Sequence, residues 1–238
     1  MTLSPFDAAA FERRTAAGLR REPPGILDDA TSDSATSDSR GDHELNGDGR
    51  PAARTSPLRP AAVLVPIVAH DGEPTVILTQ RAASLRDHSA QIAFPGGKID
   101  PDDQSPVETA LREAEEEIGL DPGLVSPLGF LDSYLSSTGF VVIPVVGLVA
   151  PRFTLALNPS EVDDAFEVPL SFLMDAGNHE IHARAWKGRI RQYYAIPFGH
   201  RYIWGVTAGI LRNLYVRVYE AESGGAAGVH GLIENKAP

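Results

Sequence analysis

The hydrophobic pattern of the chain predicts strands, then one amphipathic helix, then more strands and a closing helix. Residues 61–68 and 75–79 are apolar and rich in β-branched side chains, and Asp71-Gly72 between them is a turn signal, so they predict a hairpin. Residues 91–94 predict a short strand that enters the tight loop Pro95-Gly96-Gly97. Later strands are predicted over 128–134 and 140–149, and 180–186 with 189–196 are predicted to form a second hairpin with its turn at Lys187-Gly188.

Four helices are predicted, and the best defined follows the glycine loop. Ser105-Pro106 is a favourable start, because serine caps free N–H groups and proline needs no partner at the first helical position. The helix runs to about Ile118 and ends at Gly119, which tolerates the left-handed cap conformation. The others are predicted within 1–27, where the pattern is weak, over 168–175 and over 204–219.

The length of 238 residues suits one folded domain with extensions, or at most two small domains. Residues 28–56 repeat Ala-Thr-Ser-Asp-Ser and carry few large apolar side chains, so we expect a disordered linker after a helical extension over 1–27. We expect the folded domain over 57–220 and a flexible tail over 221–238. The order of strands and helices predicts an α+β fold.

Composition and charge exclude several classes of function. The absence of cysteine removes disulfides, thiolate metal sites and cysteine nucleophiles. The sequence has neither a run of about eighteen apolar residues nor a secretory signal pattern, so we expect a cytoplasmic protein with no membrane partner. The formal net charge of the chain is −11. Residues 28–56 carry a net charge of −4 and residues 96–121 a net charge of −7, so the rest of the chain is neutral overall. Such acidity argues against a nucleic-acid partner, whereas clustered carboxylates suit hard divalent cations.

Three glutamates of the helix after the glycine loop share one face. Glu113, Glu116 and Glu117 stand at positions i, i+3 and i+4, so their carboxylates lie within one turn. That much like charge is unfavourable unless a cation neutralises it, and Mg²⁺ or Mn²⁺ prefers oxygen ligands of this kind. A solvated acidic helix face is the alternative for this segment alone, because glutamate is a good helix former.

The loop and the helix together resemble the Nudix box. Phe94-Pro95-Gly96-Gly97 is followed, after fourteen residues, by Arg-Glu-x-x-Glu-Glu-x-Gly at 112–119. The family pattern is Gly-x5-Glu-x7-Arg-Glu-U-x-Glu-Glu-x-Gly-U, where U is a bulky aliphatic residue. The resemblance implies a mixed β-sheet sandwiched between helices and a Mg²⁺- or Mn²⁺-dependent hydrolase of diphosphate linkages. It also implies that the three helix glutamates hold the metal, together with the Gly96 carbonyl.

The first half of the box departs from the family pattern. Counted forward from Gly97, the position of the family's glutamate falls on Asp103; counted back from Arg112, it falls on Gln104. The loop is therefore one residue longer and has no glutamate there. In the family this glutamate and the arginine are thought to brace the turn between loop and helix, so the departure bears on that brace more than on the metal ligands.

The segment before the box resembles the signature of the coenzyme A pyrophosphatase branch of the Nudix family. It reads Ile-Leu-Thr-Gln-Arg-Ala-x3-Arg-x3-Ala-x3-Phe-Pro-Gly-Gly over 77–97, and the branch pattern is Leu-Leu-Thr-x-Arg-Ser-x3-Arg-x3-Gly-x3-Phe-Pro-Gly-Gly. Arg81 and Arg86 are therefore predicted to bind substrate phosphates, to which planar guanidinium groups are suited. Ordinary surface arginines, or ion pairs with the glutamate helix, are the alternative.

The resemblance implies a reaction in which water attacks one phosphorus of coenzyme A or a CoA derivative. The products would be 3′,5′-ADP and 4′-phosphopantetheine or its acyl form. Glu116 and the downstream Glu161 are each candidates for metal ligand or catalytic base, and Arg112 is expected to orient a glutamate or hold the turn. The alternatives are a Nudix hydrolase of ADP-ribose, NADH or a nucleoside triphosphate, and a non-catalytic nucleotide-binding module. The expected partner is a small-molecule substrate, and a homodimer is compatible with the sequence.

Overall fold

The structure, a computed structural model, describes residues 6–24, 39–47, 58–85, 89–186 and 188–220, which form two β-sheets, four α-helices and two short 3-10 helices. The helices are α1 (Ala8–Gly18), α2 (Pro106–Ile118), α3 (Leu170–Leu173) and α4 (Val206–Val218). The strands are β1 (Arg59–Val68), β2 (Thr75–Arg81), β3 (Ile92–Ala93), β4 (Gly96–Lys98), β5 (Val125–Phe130), β6 (Tyr134–Leu135), β7 (Phe140–Val149), β8 (Val162–Pro169), β9 (Glu180–Trp186), β10 (Arg189–Phe198) and β11 (Arg201–Trp204).

The larger sheet is mixed, and a parallel pair forms its centre. β1 and β7 run parallel from the pair Arg59↔Phe140 to the pair Val68↔Val149. The other pairings in this sheet, which involve β2 to β6 and β8, are antiparallel. β7 is buried along nearly its whole length, because both faces of a central strand are covered. Its apolar run therefore predicted a strand without indicating which strand would pair with it.

Helices cover both faces of the larger sheet. From α2, Ala110, Ala114 and Ile118 pack on one face, in a core cluster with side chains of β1 and β7. From α1 and α4, Phe11 and Leu214 contribute to a separate cluster on the opposite face. A mixed sheet between helices confirms the predicted α+β fold class.

The structure confirms the predicted hairpins and corrects several boundaries. β1 pairs with β2, and β9 pairs with β10, as antiparallel neighbours. The strand predicted over 128–134 is instead two strands, β5 and β6, and the helix predicted over 168–175 is reduced to α3. β8 was not predicted, because its acidic residues weaken the alternation of apolar and polar positions; in the structure it pairs with β2 along its length.

Residues 39–47 have a defined structure, so the prediction of disorder over 28–56 is wrong for this part. Arg40 forms a β-bridge with Tyr134, and the Tyr134 hydroxyl donates to the Asp42 carboxylate at 2.6 Å. The Asn46 amide donates to the Gln192 carbonyl at 3.0 Å and accepts from the Gln192 N–H at 2.8 Å. These bonds to the folded domain order the segment without a core of its own, which composition alone does not reveal.

The predicted terminal segments fall partly outside the described residues. α1 lies within the predicted extension over 1–27, and the Asp7 carboxylate caps it by accepting from the Ala10 N–H at 2.7 Å. The predicted tail over 221–238, and the parts of the predicted linker on either side of 39–47, lie outside the described residues. Within the described ranges, no helix is both long enough and apolar enough to cross a lipid bilayer.

Candidate active site

The acidic helix α2 is fixed at both ends, which sets the position of its glutamates. At the first turn, the Ser105 hydroxyl accepts from the Glu108 N–H at 3.2 Å. At the other end, Gly119 adopts φ 66° and ψ 24°, as predicted for a C-terminal cap. The loop after β7 then bonds to the free carbonyls of the last turn, with the Asn158 N–H 2.9 Å from the Glu117 carbonyl oxygen.

Glu117 joins α2 to the glycine loop. Its side chain is only 5% exposed, and its Oε2 accepts from the Gly96 N–H at 3.2 Å. Arg81 Nη1 lies 3.7 Å from its Oε1. Burial raises the pKa of Glu117 to about 7; the Gly96 N–H and Arg81 oppose this shift, and the neighbouring Glu113 and Glu161 add to it. The protein alone therefore stabilises the charged form of Glu117 poorly.

Glu113 lies against the glycine loop and shares a guanidinium with Glu116. Arg112 Nη1 donates to Glu113 Oε1 at 2.9 Å and to Glu116 Oε2 at 3.3 Å. Burial raises the pKa of Glu113, the Arg112 contact opposes the rise, and Glu116 and Glu161 reinforce it. Glu116 has a side chain that is 55% exposed. Two of the three glutamates predicted to bind the metal are thus recessed, and the third faces solvent.

Glu161 lies close to the helix glutamates, although it is far from them in sequence. Its backbone carbonyl accepts from the Ala82 N–H at 2.8 Å, and its Oε1 accepts from the Asn158 amide at 3.2 Å. The same loop bonds to the C-terminal carbonyls of α2, so Glu161 is close enough to raise the pKa of both Glu113 and Glu117. Its role as ligand or base remains a prediction.

Asp103 pairs with Arg112, and the sequence reasoning did not assign it a role. Asp103 Oδ1 accepts from Arg112 Nε at 3.1 Å, and Oδ2 accepts from Arg112 Nη2 at 2.9 Å. This bidentate pair holds the pKa of Asp103 well below its usual range and raises that of Arg112. The brace between loop and helix is therefore present, formed by an aspartate at the position counted forward from Gly97. Gln104, counted back from Arg112, is exposed.

Of the two predicted phosphate-binding arginines, Arg81 lies beside Glu117 at the end of β2, and Arg86 lies outside the described residues. The Arg81 Nε is buried and has no hydrogen-bond partner among the described residues. A buried guanidinium nitrogen without a partner is unfavourable, and a bound anion is one group that would satisfy it. Its position next to the glutamates puts a cationic fork and an anionic cluster in one site.

The comparison with known proteins identifies the family. A NUDIX domain model matches residues 57–187, which is more than half of the chain. The chain belongs to the Nudix family. It is 44% identical over 163 residues to "Uncharacterized Nudix hydrolase NudL" of Yersinia pestis (strain Pestoides F), a match that covers 67% of this chain and 80% of that protein. The family's hydrolases act on pyrophosphates and generally use divalent metal ions.

Solved structures of Nudix proteins are also similar to this chain. One is a Nudix hydrolase from Alicyclobacillus acidocaldarius, at 20% identity and a TM-score of 0.44, covering 71% of this chain and 96% of that one. Another is the Nudix hydrolase RenU from M. smegmatis, at 22% identity and a TM-score of 0.43, covering 52% of this chain and 78% of that one.

The donor set of this Nudix protein fits a divalent cation. Within the described residues, no three acidic or histidine side chains stand close enough together to form a metal site by themselves. Arg112 binds two of the helix carboxylates, and the Gly96 N–H binds the third. Mg²⁺ sites commonly need only one or two carboxylates, with water and substrate phosphate oxygens as further ligands. Burial, and to a smaller extent the neighbouring carboxylates, raises the pKa of Glu113 and of Glu117, and a bound cation would stabilise their charged forms.

Substitutions of the two loop glycines, Gly96 and Gly97, are expected to have different effects. A Cβ on Gly97 would overlap the Glu113 carboxylate, a flexible side-chain end that can move. We expect Gly97→Ala to lower activity roughly 10- to 100-fold, the usual effect of disturbing the surroundings of a metal ligand, which Glu113 is predicted to be, with an unfolding temperature near that of the wild type. Steady-state kinetics and thermal unfolding measure the two effects.

Gly96→Ala is the contrasting variant. Gly96 has φ 155°, and a Cβ there would overlap the Ala62 carbonyl and lie 2.6 Å from Val63 Cα in β1. Because backbone cannot move aside cheaply, we expect this variant to unfold at a clearly lower temperature. Full activity in Gly97→Ala, or an equal loss of stability in both variants, would contradict this description of the loop.

Proposed function

We propose that this Nudix protein hydrolyses the diphosphate of coenzyme A or a CoA derivative, with Mg²⁺ or Mn²⁺, to 3′,5′-ADP and 4′-phosphopantetheine or its acyl form. The observation that carries the proposal is Arg81, which lies 3.7 Å from the buried Glu117 and keeps an unpartnered Nε among the described residues. The same arginine belongs to the segment that resembles the signature of the CoA pyrophosphatase branch.

The phosphate groups of coenzyme A explain why the proposed active site contains both carboxylates and arginines. Coenzyme A carries a diphosphate and a separate 3′-phosphate, so its hydrolase needs a cation at the scissile linkage and cationic side chains for the remaining phosphate oxygens. Glu113, Glu116 and Glu117, with the Gly96 carbonyl, are the proposed metal ligands. Arg81, and Arg86 beyond the described residues, are the proposed phosphate ligands.

A bound divalent cation supplies charge neutralisation of the diphosphate and a lower pKa for the attacking water. Side chains of the protein accept the proton and orient the carboxylates. Glu161 or Glu116 accepts the proton of the water as its oxygen bonds to phosphorus and the bridging phosphorus–oxygen bond breaks. Arg112, bound to both Glu113 and Glu116, keeps those carboxylates oriented.

A panel of substrates tests the choice of coenzyme A. We expect kcat/KM for CoA to exceed that for ADP-ribose, NADH and nucleoside triphosphates, each measured with Mg²⁺ and with Mn²⁺. The kcat/KM for dephospho-CoA measures how much the 3′-phosphate contributes, because this compound retains the diphosphate and lacks the 3′-phosphate. If ADP-ribose is cleaved much faster than CoA, the substrate is wrong and the hydrolase chemistry stands; if no compound is cleaved with any metal, the protein is a binding module.

Arg81→Lys is the variant that tests the phosphate contact. Lysine keeps the positive charge beside Glu117 but loses the planar fork, so we expect KM for CoA to rise roughly 10- to 100-fold, the effect of losing one hydrogen bond to a charged group. We expect little change in unfolding temperature. Arg152→Lys is the matched control, since Arg152 is exposed. An unchanged KM in Arg81→Lys would remove Arg81 from the substrate site.

A further inference from the structure

Asp103 occupies a buried, fully bonded position at the start of the acidic helix. Its side chain is 6% exposed. In addition to Arg112, its Oδ2 accepts from the Thr109 hydroxyl at 2.8 Å and from the Asp100 N–H at 2.9 Å. A surface carboxylate in an acidic loop would instead face water. The carboxylate thus ties the loop before α2, the first turns of α2 and the Arg112 guanidinium to one another.

The bond pattern of Arg112 shows what this tie does. Asp103 takes one edge of the guanidinium, at Nε and Nη2, and leaves Nη1 directed at Glu113 and Glu116. Because the guanidinium is planar, fixing one edge also fixes the direction of the remaining nitrogen. The orientation of two proposed metal ligands therefore depends on a residue that touches neither of them.

We propose that Asp103 is a positioning residue of the metal site, acting through Arg112 on Glu113 and Glu116; this rests on the proposed function of those glutamates. Asp103 takes the place of the glutamate that the box lacks, and the shorter side chain suits the loop that is one residue longer. Gln104 does not serve this purpose. Its side-chain amide donates to the Asp102 carbonyl at 2.9 Å, and it is exposed.

The test uses Asp103→Asn, with Asp102→Asn as the matched control. Both variants remove one negative charge from the same loop, and Asp102 is exposed. Three quantities are measured for the full chain: the affinity for Mn²⁺ alone, from the signal of free Mn²⁺ in a titration; kcat and KM for CoA; and the unfolding temperature. In Asp103→Asn we expect Mn²⁺ affinity and kcat each to fall roughly 10- to 100-fold, the usual effect of disturbing the partner of a metal ligand, with KM for CoA little changed.

Two further variants separate positioning from simple folding. Arg112→Lys keeps a positive charge beside Asp103, but an ammonium group lacks the planar guanidinium that bonds to Asp103, Glu113 and Glu116 together. We therefore expect the variant to remain folded and to show the same fall in Mn²⁺ affinity. Adding Gln104→Glu to Asp103→Asn should not restore Mn²⁺ affinity, because the side chain at 104 is exposed and bonds to the Asp102 carbonyl. Restoration by that glutamate, or wild-type Mn²⁺ affinity in Arg112→Lys, would overturn the proposal.

The outcomes distinguish this proposal from the proposed substrate. If the wild type cleaves no CoA while Asp103→Asn still binds Mn²⁺ more weakly than the wild type, the substrate is wrong and the role of Asp103 stands. If the wild type cleaves CoA and Asp103→Asn matches it in Mn²⁺ affinity and kcat, the role of Asp103 is overturned and the substrate stands. If Asp103→Asn lowers only the unfolding temperature and leaves the Mn²⁺ affinity and the kinetic constants for CoA unchanged, the proposed role of Asp103 is also overturned.

Discussion

Glu117→Gln is expected to lower kcat/KM for the diphosphate substrate by more than about 100-fold. Even outer-shell partners of metal ligands commonly change activity 10- to 100-fold, and Glu117 is proposed as a ligand itself. The substitution preserves shape and keeps an oxygen that can accept from the Gly96 N–H. Glu115→Gln is the matched control, because Glu115 lies on the same helix and is exposed.

The same variant is expected to stabilise the metal-free protein at alkaline pH. The pKa of Glu117 in the folded protein is about 7, above its usual 4.5, so its contribution to stability is fully present below pH 4.5 and is lost as the pH rises through 7. At pH 8 we expect metal-free Glu117→Gln to have a free energy of unfolding larger than that of the wild type, by at most about 3 kcal/mol. The difference should vanish as the pH approaches 4.5.

Denaturant unfolding at pH 5 and pH 8, with and without Mg²⁺, measures this effect. Mg²⁺ should stabilise the wild type at pH 8 and should stabilise Glu117→Gln much less, because ligand binding to the folded state raises its stability. A variant that is less stable than the wild type at pH 8, or that gains as much from Mg²⁺, would contradict the assignment of Glu117 as a buried ligand.

Arg112→Gln is expected to destabilise the protein by about 3 kcal/mol at pH 7. Removing one partner of a buried ion pair commonly costs 3–5 kcal/mol, and the side chain of Arg112 is 27% exposed, so we expect the lower end. The Asp103 carboxylate would lose its counter-charge while remaining close to other acidic groups. For a domain of this size, the unfolding temperature should fall by roughly 6–12 °C.

The pH dependence identifies Asp103 as the cause. Arg112 holds the pKa of Asp103 well below its usual 3.8, so this pair stabilises the wild type above that pH and the contribution is lost as the pH falls through the lowered pKa. The stability difference between wild type and Arg112→Gln should therefore shrink below about pH 4 as Asp103 becomes protonated in the variant. Arg152→Gln is the exposed control, and equal unfolding temperatures for all three proteins at pH 7 would contradict the prediction.

The parts of the site that the sequence predicted are those governed by local geometry. The spacing of Glu113, Glu116 and Glu117 fixes a common face once the segment is a helix, and Ser105 and Gly119 mark where that helix begins and ends. Turn signals and β-branched runs likewise predicted both hairpins. These features depend on residues within a few positions of one another, which a single sequence shows directly.

The features that the sequence did not predict depend on contacts between distant segments. The parallel pairing of β1 with β7 joins strands that are far apart in the chain, and neither strand encodes its partner. The position of Asn46 against Gln192 is a contact of the same kind, so composition wrongly predicted disorder for residues 39–47. The sequence did not reveal the pairing of Asp103 with Arg112 for another reason: the bracing residue is an aspartate, and it lies one residue further from Arg112 than the glutamate of the family pattern does.

Product analysis of CoA hydrolysis tests the central claim most directly. Wild type and Glu117→Gln are incubated with CoA and Mg²⁺ or Mn²⁺, with a chelator as the metal-free control, and the products are identified by mass spectrometry. We predict that the wild type releases 3′,5′-ADP and 4′-phosphopantetheine in equal amounts only when metal is present, and that Glu117→Gln releases little of either. Intact CoA after incubation of the wild type with either metal, or equal product release by Glu117→Gln, would contradict the proposed metal-dependent CoA hydrolase.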